Sequence, residues 1–213
     1  MKHVIIIGAN GRSAREIIPR LQEQKDVKLT LFLRQAERVQ DIATQDMMVV
    51  EGDARDLEGL KAALQGQDMV VNTMGGMDLG DTTETLVRAM TEVNVKRIIT
   101  INAGGIYNEL PEPFNSWDYN MTGETRPVNL KAAEAIENAS LDYTILRPVW
   151  LTNKPITDFQ LTAKGETYKG TETSRASIAQ FISEIVASPE RHKKENVGIS
   201  QPNTDGDKPA AYR

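Results

Sequence analysis

The chain contains no cysteine among its 213 residues and only two histidines. The lack of cysteine excludes a disulfide framework, a thiolate metal centre and a cysteine nucleophile. His3 and His192 lie near opposite ends of the sequence, so the chain offers no histidine cluster for a metal ion. Aromatic residues are also scarce, at 5%. We therefore expect no metal site, and any chemistry has to come from other groups.

Positive charge and long apolar runs are lacking as well. The formal net charge is −5, which argues against a broad nucleic-acid-binding surface. No apolar run reaches the ~20 residues that a membrane-spanning helix needs. The apolar residues 4–7 lead directly into Gly8 with no cleavage-type site, which is unlike a signal peptide. These features predict a cytoplasmic protein with no membrane span and no nucleic-acid partner.

Short β-branched apolar runs recur along the chain, with helical segments between them. The runs are residues 4–7, 29–33, 47–50, 69–71, 98–101 and 143–146. Such runs are apolar on both faces, which is typical of parallel strands covered by helices on both sides. Their alternation with helices predicts one α/β domain over residues 1–213, a three-layer sandwich with a mostly parallel sheet. We expect residues 103–126 and 148–173 to form substrate-side loops and residues 201–213 to form a polar tail.

A glycine-rich turn follows the first predicted strand and opens the first helix. It reads Gly8-Ala9-Asn10-Gly11-Arg12-Ser13-Ala14. Gly8 permits a tight turn, and Gly11 lets the backbone approach a pyrophosphate. The helix start at Arg12 and Ser13 would present free N–H groups to that anion. The strand–turn–helix context predicts that Gly8, Asn10, Gly11, Arg12 and Ser13 bind a dinucleotide in a Rossmann-like domain; a purely structural turn is the alternative.

The end of the second predicted strand bears on which dinucleotide binds. Sites that prefer NAD place an acidic residue there for the ribose 2′-hydroxyl, but this chain has Arg34. A guanidinium suits a 2′-phosphate because it forms forked, charge-assisted hydrogen bonds. Arg12 and Arg38 are expected at the same corner. The sequence thus predicts NADP(H) in preference to NAD, the alternative being that Arg34 is a solvated surface residue.

Two further strand ends supply candidate cofactor contacts. Asp53, which Ala54 follows, either accepts a hydrogen bond from adenine or caps the helix that begins near residue 56. After the fourth strand, Met74, Gly75 and Gly76 would let the backbone approach the ribose and phosphates. A flexible turn is the alternative interpretation of these glycines.

Several segments together carry a family resemblance. They are residues 4–15, Leu33-Arg34 with Arg38, Gly52-Asp53, and residues 95–105, 131–134, 141–148 and 173–179. Through them the chain resembles the atypical short-chain dehydrogenases/reductases, in particular the small NAD(P)H-binding proteins related to NmrA and to flavin reductase (biliverdin reductase B). The resemblance covers most of the chain and implies a single Rossmann-like domain.

The chain departs from that family's usual catalytic residues. Standard members carry a serine after the fifth strand and Tyr-x-x-x-Lys on the next helix. Here Asn102 and Ala103 follow the strand, and Pro127 stands at the tyrosine position, four residues before Lys131. The resemblance implies cofactor contacts from Asn102 and Ala103. It also implies that Lys131 binds the nicotinamide ribose, unless Lys131 is a solvated helix residue. The missing serine and tyrosine make standard carbonyl reduction or sugar epimerisation doubtful.

Two later segments are expected on the substrate side. In the family, the stretch that here holds Pro148 and Val149 backs the nicotinamide, so these two are candidate cofactor contacts, while Arg147 is expected to pair with a buried carboxylate. A loop after the fifth strand concentrates four aromatic residues, namely Tyr107, Phe114, Trp117 and Tyr119. They form either a stacking platform for a planar ligand or a small satellite core that pins the loop. Tyr107 is the candidate replacement proton donor.

Two functions remain in competition. The first is an NADPH-dependent oxidoreductase that passes hydride to a small planar acceptor such as a flavin or quinone, for which protons can come from solvent. The second is a non-catalytic NADP(H) sensor of the NmrA type. The sequence leaves open whether the protein is a monomer or a dimer.

Overall fold

The computed structural model describes all residues from Met1 to Arg213, in ten strands and six α-helices. In chain order these are β1 Lys2–Ile7, α1 Arg12–Gln22, β2 Val27–Leu33, β3 Met48–Glu51, α2 Leu57–Leu64, β4 Met69–Asn72, α3 Leu79–Glu92, β5 Arg97–Ile101, α4 Phe114–Thr122, α5 Arg126–Glu137, β6 Asp142–Pro148, β7 Trp150–Thr152, β8 Gln160–Ala163, β9 Glu172–Ser174, α6 Arg175–Ala187 and β10 Glu195–Ser200. Short 3-10 helices span Ala36–Val39, Gly123–Thr125 and Ala210–Tyr212. None of the helices has both the length and the apolar character needed to cross a membrane.

The main sheet has eight strands in the order β3-β2-β1-β4-β5-β6-β10-β8. All neighbours pair in parallel except β8, which runs antiparallel to β10 at one edge. Val4 at the centre is in register with Leu29 on β2 and with Met69 on β4. The predicted fold class, a Rossmann-like α/β sandwich with a mostly parallel sheet, is confirmed.

Two apolar cores lie on the two faces of this sheet. Strand β1 shows how the sequence builds them, because successive side chains of a strand point to opposite faces. Val4 and Ile6 enter the core under α1 and α6, whereas Ile5 and Ile7 enter the core under α2, α3 and α5. All four side chains are fully buried. The central strand is therefore apolar at every position because helices cover both faces.

The strand predictions were incomplete towards the C-terminus. Strand β10 escaped prediction because Asn196 and Gly198 interrupt its apolar pattern. Strand β3 was expected to be covered on both faces, yet it lies at the sheet edge, where Met48 is 62% exposed. The expected substrate-side loops also carry regular structure: 103–126 contains α4, and 148–173 contains β7 and β8.

Candidate dinucleotide site

A cavity of about 600 Å³ opens at the carboxyl ends of β1, β2, β3 and β4. Nine predicted cofactor contacts line it, namely Gly8, Asn10, Gly11, Arg34, Arg38, Asp53, Ala54, Met74 and Gly75. The lining residues that the sequence interpretation missed include Phe32, Gln35, Thr73, Asp78 and Thr82. The carboxyl edge of an open parallel sheet is where such folds bind ligands, because the loops diverge there. The volume suits a cofactor-sized ligand.

The turn after β1 has the backbone that the sequence predicted. Gly8 has a φ of 84°, and a Cβ there would lie only 3.2 Å from the backbone nitrogen of Met74 and from Oγ1 of Thr73. The N–H groups of Gly8 and Ala9 both donate to the carbonyl of Phe32 on β2, at 2.9 and 3.2 Å. Glycine at position 8 therefore serves both a left-handed turn and a close contact between two loops.

Helix α1 begins directly at the cavity. Its N-cap residue is Gly11, so no side chain caps the helix. The N–H groups of its first turn, beginning with Arg12 and Ser13, are therefore open to an anion, and the helix dipole adds partial positive charge. Ala14 is fully buried in the core beside β1, and its small side chain lets α1 pack closely on the strand.

Polar residues at the end of β4 tie the neighbouring loops together. Thr73 Oγ1 donates to the carbonyls of Ile7 and Gly8, at 2.9 and 3.1 Å. Asn72 is buried; its Nδ2 donates to Thr100 Oγ1, and its Oδ1 accepts from the Met74 N–H, both at 3.1 Å. The signal for these roles was an Asn-Thr pair directly after an apolar run. The pair fixes the β4 loop against the glycine turn.

A basic corner closes the cavity beside β2. Arg34 and Arg38 both line it and both are exposed. Neither guanidinium is among the ion pairs of the protein, whereas nearby Arg15, Arg20 and Arg55 each bind a carboxylate. Two guanidinium groups that form no ion pair at the mouth of one cavity offer donors to an anionic ligand. The Asp53 carboxylate, whose pKa Arg34 also helps to lower, lies in the same lining.

Asp53 lines the cavity but does not cap α2. That role belongs to Asp56, whose Oδ1 accepts from the N–H of Glu58 at 3.1 Å. The Asp53 carboxylate instead accepts from both the backbone N–H and the guanidinium of Arg55, at 2.9 and 3.0 Å. These hydrogen bonds lower the pKa of Asp53 to about 2. The helix-capping alternative is therefore wrong.

Seven other predicted cofactor contacts lie outside the cavity lining. They are Arg12, Ser13, Gly76, Asn102, Ala103, Pro148 and Val149. Arg12 and Ser13 are the first residues of α1, and Gly76 follows β4. Asn102 follows β5, and its Nδ2 donates to the Asn129 carbonyl at 2.9 Å. Pro148 ends β6, and the neighbouring Val149 is 7% exposed.

Lys131, the first candidate catalytic residue, also lies outside the cavity lining. It belongs to α5, and its Nζ lies 2.5 Å from Asp81 and 2.9 Å from Glu84, both on α3. Its side chain crosses Gly80, where a Cβ would lie 2.7 Å from the Lys131 Cδ. These hydrogen bonds raise the pKa of Lys131. In this structure the lysine joins two helices.

Tyr107, the candidate proton donor, is turned away from the cavity. Its hydroxyl donates to Glu137 at 3.3 Å and accepts from Asn196 Nδ2 at 3.0 Å. Burial, followed by the charge of Glu137, raises the pKa of Tyr107. These hydrogen bonds hold the Tyr107 hydroxyl against α5 and β10, and Tyr107 is not part of the cavity lining.

A buried ion pair anchors the loop that carries Tyr107. Arg147 is fully buried, and its guanidinium pairs with Glu109, whose side chain is 3% exposed. Glu109 also accepts from the N–H groups of Gly105 and Tyr107, at 3.2 and 2.8 Å. The expected pairing of Arg147 with a buried carboxylate is confirmed, and it anchors the loop to β6.

The aromatic residues of the same loop have separate roles. Phe114 is fully buried in a small satellite core, as the second sequence interpretation proposed. Trp117 packs against this core, with its ring 6.1 Å from that of Phe114, and also contacts Trp150 and Tyr212, with ring centroids 5.1 Å apart in both cases. Tyr119 is 60% exposed, with the Arg126 guanidinium 5.2 Å from its ring centre. The three-ring group Trp117, Trp150 and Tyr212, here the aromatic cluster, joins segments distant in sequence.

Comparison with known proteins agrees with this geometry. A family model described as NAD(P)H-binding matches residues 8–189. The chain belongs to this NAD(P)H-binding family. The match includes the glycine turn, the basic corner and the ends of β4, β5 and β6. The resemblance to short-chain dehydrogenases/reductases is likewise confirmed by solved relatives.

Three relatives illustrate the likeness. A Rossmann-fold NAD(P)-binding family protein from Shigella flexneri is 41% identical, with a TM-score of 0.83 over 98% of both chains. A short-chain dehydrogenase/reductase from Veillonella parvula DSM 2008, solved with NADP, is 26% identical; the TM-score is 0.91 over 98% of this chain and 99% of that one. YhfK of Bacillus subtilis, described as an uncharacterized sugar epimerase, is 26% identical over 98% of this chain and 96% of its own.

Proposed function

We propose that this NAD(P)H-binding protein is an NADPH-dependent oxidoreductase that passes hydride to a planar conjugated acceptor such as a flavin or quinone. The observation that carries the proposal is the pair of arginines outside any ion pair, Arg34 and Arg38, beside the open N-terminus of α1 in one cavity. A 2′-phosphate needs the first feature, and a pyrophosphate needs the second. The NADP complex of the Veillonella relative supports this assignment.

The cavity lining supports one direction for the dinucleotide. Its adenosine end would lie at Arg34 and Asp53, beside β2 and β3, with the pyrophosphate at α1. The nicotinamide end would then extend across β4 towards the carboxyl ends of β5 and β6. Asn102 and Ala103 would border that end from β5, and Pro148 and Val149 from β6. Bound NADPH supplies the hydride, and these residues orient the ring and exclude water.

The acceptor is proposed from what surrounds that end. No serine follows β5, Pro127 stands where a tyrosine would be needed, and Tyr107 is bound elsewhere. A conjugated ring needs no protein proton donor, because its charge is delocalised and protons can come from solvent. Trp150 begins β7 directly after Val149. We propose that the aromatic cluster, which is joined to Val149 through Trp150, stacks against a planar acceptor beside the nicotinamide.

The engaged state of Lys131 favours a second candidate, a non-catalytic NADP(H) sensor. A sensor would bind the dinucleotide with the same cavity and need neither a ribose-binding lysine nor an acceptor. The two functions are separated by mixing the protein with NADPH and a panel of flavins, quinones and ketones and following absorbance of the reduced nicotinamide. We expect oxidation with a flavin or quinone; tight NADPH binding with no oxidation would establish the sensor instead.

Replacement of Arg34 by alanine tests the cofactor preference. One charge-assisted hydrogen bond contributes about 1.5–3 kcal/mol, or about ten- to a hundred-fold in affinity. We expect Arg34→Ala to lower the NADPH-to-NADH affinity ratio by that factor, measured by fluorescence titration. Arg88→Ala, on the exposed face of α3, is the matched control. An unchanged ratio in Arg34→Ala would remove the basis for NADPH preference.

The tryptophans test the acceptor site. The chain has only two, Trp117 and Trp150, and both belong to the aromatic cluster. A flavin stacked there would quench most of the tryptophan fluorescence of the NADP-bound protein. Trp117→Leu should raise the KM for the acceptor, whereas Trp117→Phe should preserve it because the ring remains. Flavin turnover without any quenching would place the acceptor elsewhere.

A further inference from the structure

A single arginine outside the cavity lining holds two of the cofactor-facing elements together. Arg15 lies on α1, and its guanidinium donates to three separate segments. It contacts Asn10 of the glycine turn through Nη2 and Nε, at 3.0 and 3.3 Å. It contacts the carbonyl of Arg38 at 2.5 Å and the carboxylate of Asp41 at 2.6 and 3.1 Å. The side chain therefore links the glycine turn to the basic corner.

The bonds to Asn10 determine what that residue presents to the cavity. A guanidinium can only donate hydrogen bonds, so the oxygen of the Asn10 amide must face Arg15. The Nδ2 group, which carries two donors, is then directed away from Arg15. Asn10 lines the cavity. Arg15 thus makes Asn10 a donor towards the ligand, as an anionic group requires.

The bond to the Arg38 carbonyl acts on the basic corner. Arg38 lies in the short helix Ala36–Val39, whose first N–H, that of Ala36, is held by Glu51 at 2.8 Å. Arg15 fixes the other end of this helix from α1. The Arg38 side chain therefore projects from backbone that is held at both ends. The backbone loses less conformational entropy when the Arg38 guanidinium binds a ligand, which favours binding.

Arg15 itself is not available to a phosphate. Asp41 takes up both of its terminal nitrogens, and this hydrogen bonding raises the pKa of Arg15. Its charge is therefore permanent and already compensated. A residue of this kind affects ligand affinity through the groups that it orients.

We propose that Arg15 is a positioning residue that determines the preference for a 2′-phosphorylated dinucleotide, by holding Asn10 as a donor and Arg38 in place at the cavity. This inference rests on the proposed use of NADPH. It predicts that loss of Arg15 weakens ligands with a 2′-phosphate more than ligands without one, because the basic corner contacts only the former.

The test compares Arg15→Met and Arg15→Lys with wild type. The probes are NADPH against NADH, and adenosine 2′,5′-bisphosphate against AMP, each titrated by calorimetry. We expect Arg15→Met to lower the affinity ratio in both pairs by about three- to tenfold, less than loss of a direct phosphate contact. Arg15→Lys should also lower it, since one ammonium group cannot hold Asn10, Asp41 and the Arg38 carbonyl together. Arg15→Lys keeps the charge and serves as the readout if Arg15→Met does not fold.

The control is Arg20→Met, on the same helix, whose partner Glu16 contacts neither the turn nor the basic corner. It should leave both ratios unchanged. The proposal is overturned if Arg15→Met and Arg15→Lys leave both affinity ratios at the wild-type value. If all four probes weaken equally, Arg15 supports the turn in general; if none weakens, Arg15 has no effect on binding. A wild-type protein that does not discriminate NADPH from NADH would instead refute the proposed function, before any Arg15 variant is made.

Discussion

The ammonium group of Lys131 lies 2.5 Å from Oδ1 of Asp81, across the contact between α5 and α3. It occupies the helix position at which the family's catalytic lysine is expected, yet its partners are two carboxylates. Since Lys131 is partly exposed, screening by solvent keeps the stabilisation from these ion pairs small. The function of this lysine therefore depends on whether it leaves Asp81 when a dinucleotide binds.

We expect that Lys131→Met lowers the free energy of unfolding only slightly, because exposed ion pairs contribute little. The Kd for NADPH should stay within about twofold of wild type. Urea denaturation and fluorescence titration measure the two quantities. A tenfold loss of NADPH affinity would show instead that Nζ moves to the ribose, and Asp81→Ala should then tighten binding by releasing it.

Gly8→Ala should weaken both the fold and cofactor binding. A φ of 84° is unfavourable for an L-residue by about 1–2 kcal/mol, and the new Cβ would also crowd Thr73 and Met74. We expect Tm to fall by about 2–8 °C and NADPH affinity to fall by at least about tenfold, or 1.4 kcal/mol. Gly66→Ala is a matched control, because Gly66 has a φ of 74° with nothing within 4 Å of the added atom. Equal loss of binding in both variants would contradict a local role for Gly8.

Arg147→Met should destabilise the protein strongly. It leaves the Glu109 carboxylate buried without its partner, which typically costs about 3–5 kcal/mol. The double variant Arg147→Met with Glu109→Gln should recover part of this loss, because no buried charge remains. Chemical denaturation gives both values, and Arg88→Met, which breaks an exposed pair with Glu92, should cost less than about 1 kcal/mol. A small effect of Arg147→Met would mean that water reaches Glu109.

The Asp53 carboxylate should titrate far below the ordinary range. Its hydrogen bonds to Arg55 lower its pKa from 3.8 to about 2. Because the folded-state pKa is the lower one, the stabilisation is complete above pH 3.8 and is lost as the pH falls through about 2. Carbon-13 NMR of the side-chain carboxyl measures the midpoint. Arg55→Ala should move it back towards 3.8, whereas Arg88→Ala should leave it at about 2; an unmoved midpoint in Arg55→Ala would refute the role of Arg55.

Sequence alone determined the features that depend on neighbouring residues. Gly8, Gly11 and Ala14 define a strand–turn–helix unit within a few residues, so the turn, the helix start and the binding cavity beside them could all be predicted. The apolar runs predicted the parallel sheet because every residue of a strand such as β1 is covered by helices on one face or the other. The Asn72-Thr73 pair at the end of β4 offered a weaker signal of the same kind, which the sequence interpretation missed.

Only the tertiary structure decided which polar side chains reach the cavity. Tyr107 and Lys131 have the right chemistry and follow the right strands, but Glu137 with Asn196 engages one and Asp81 with Glu84 engages the other. The partners of Tyr107 are distant in the sequence: Glu137 is 30 residues away and Asn196 is 89 residues away. Strand β10, which supplies Asn196, was itself missed. A long side chain takes the position at which its charge and hydrogen bonds are best satisfied, and that position depends on contacts that local sequence does not contain.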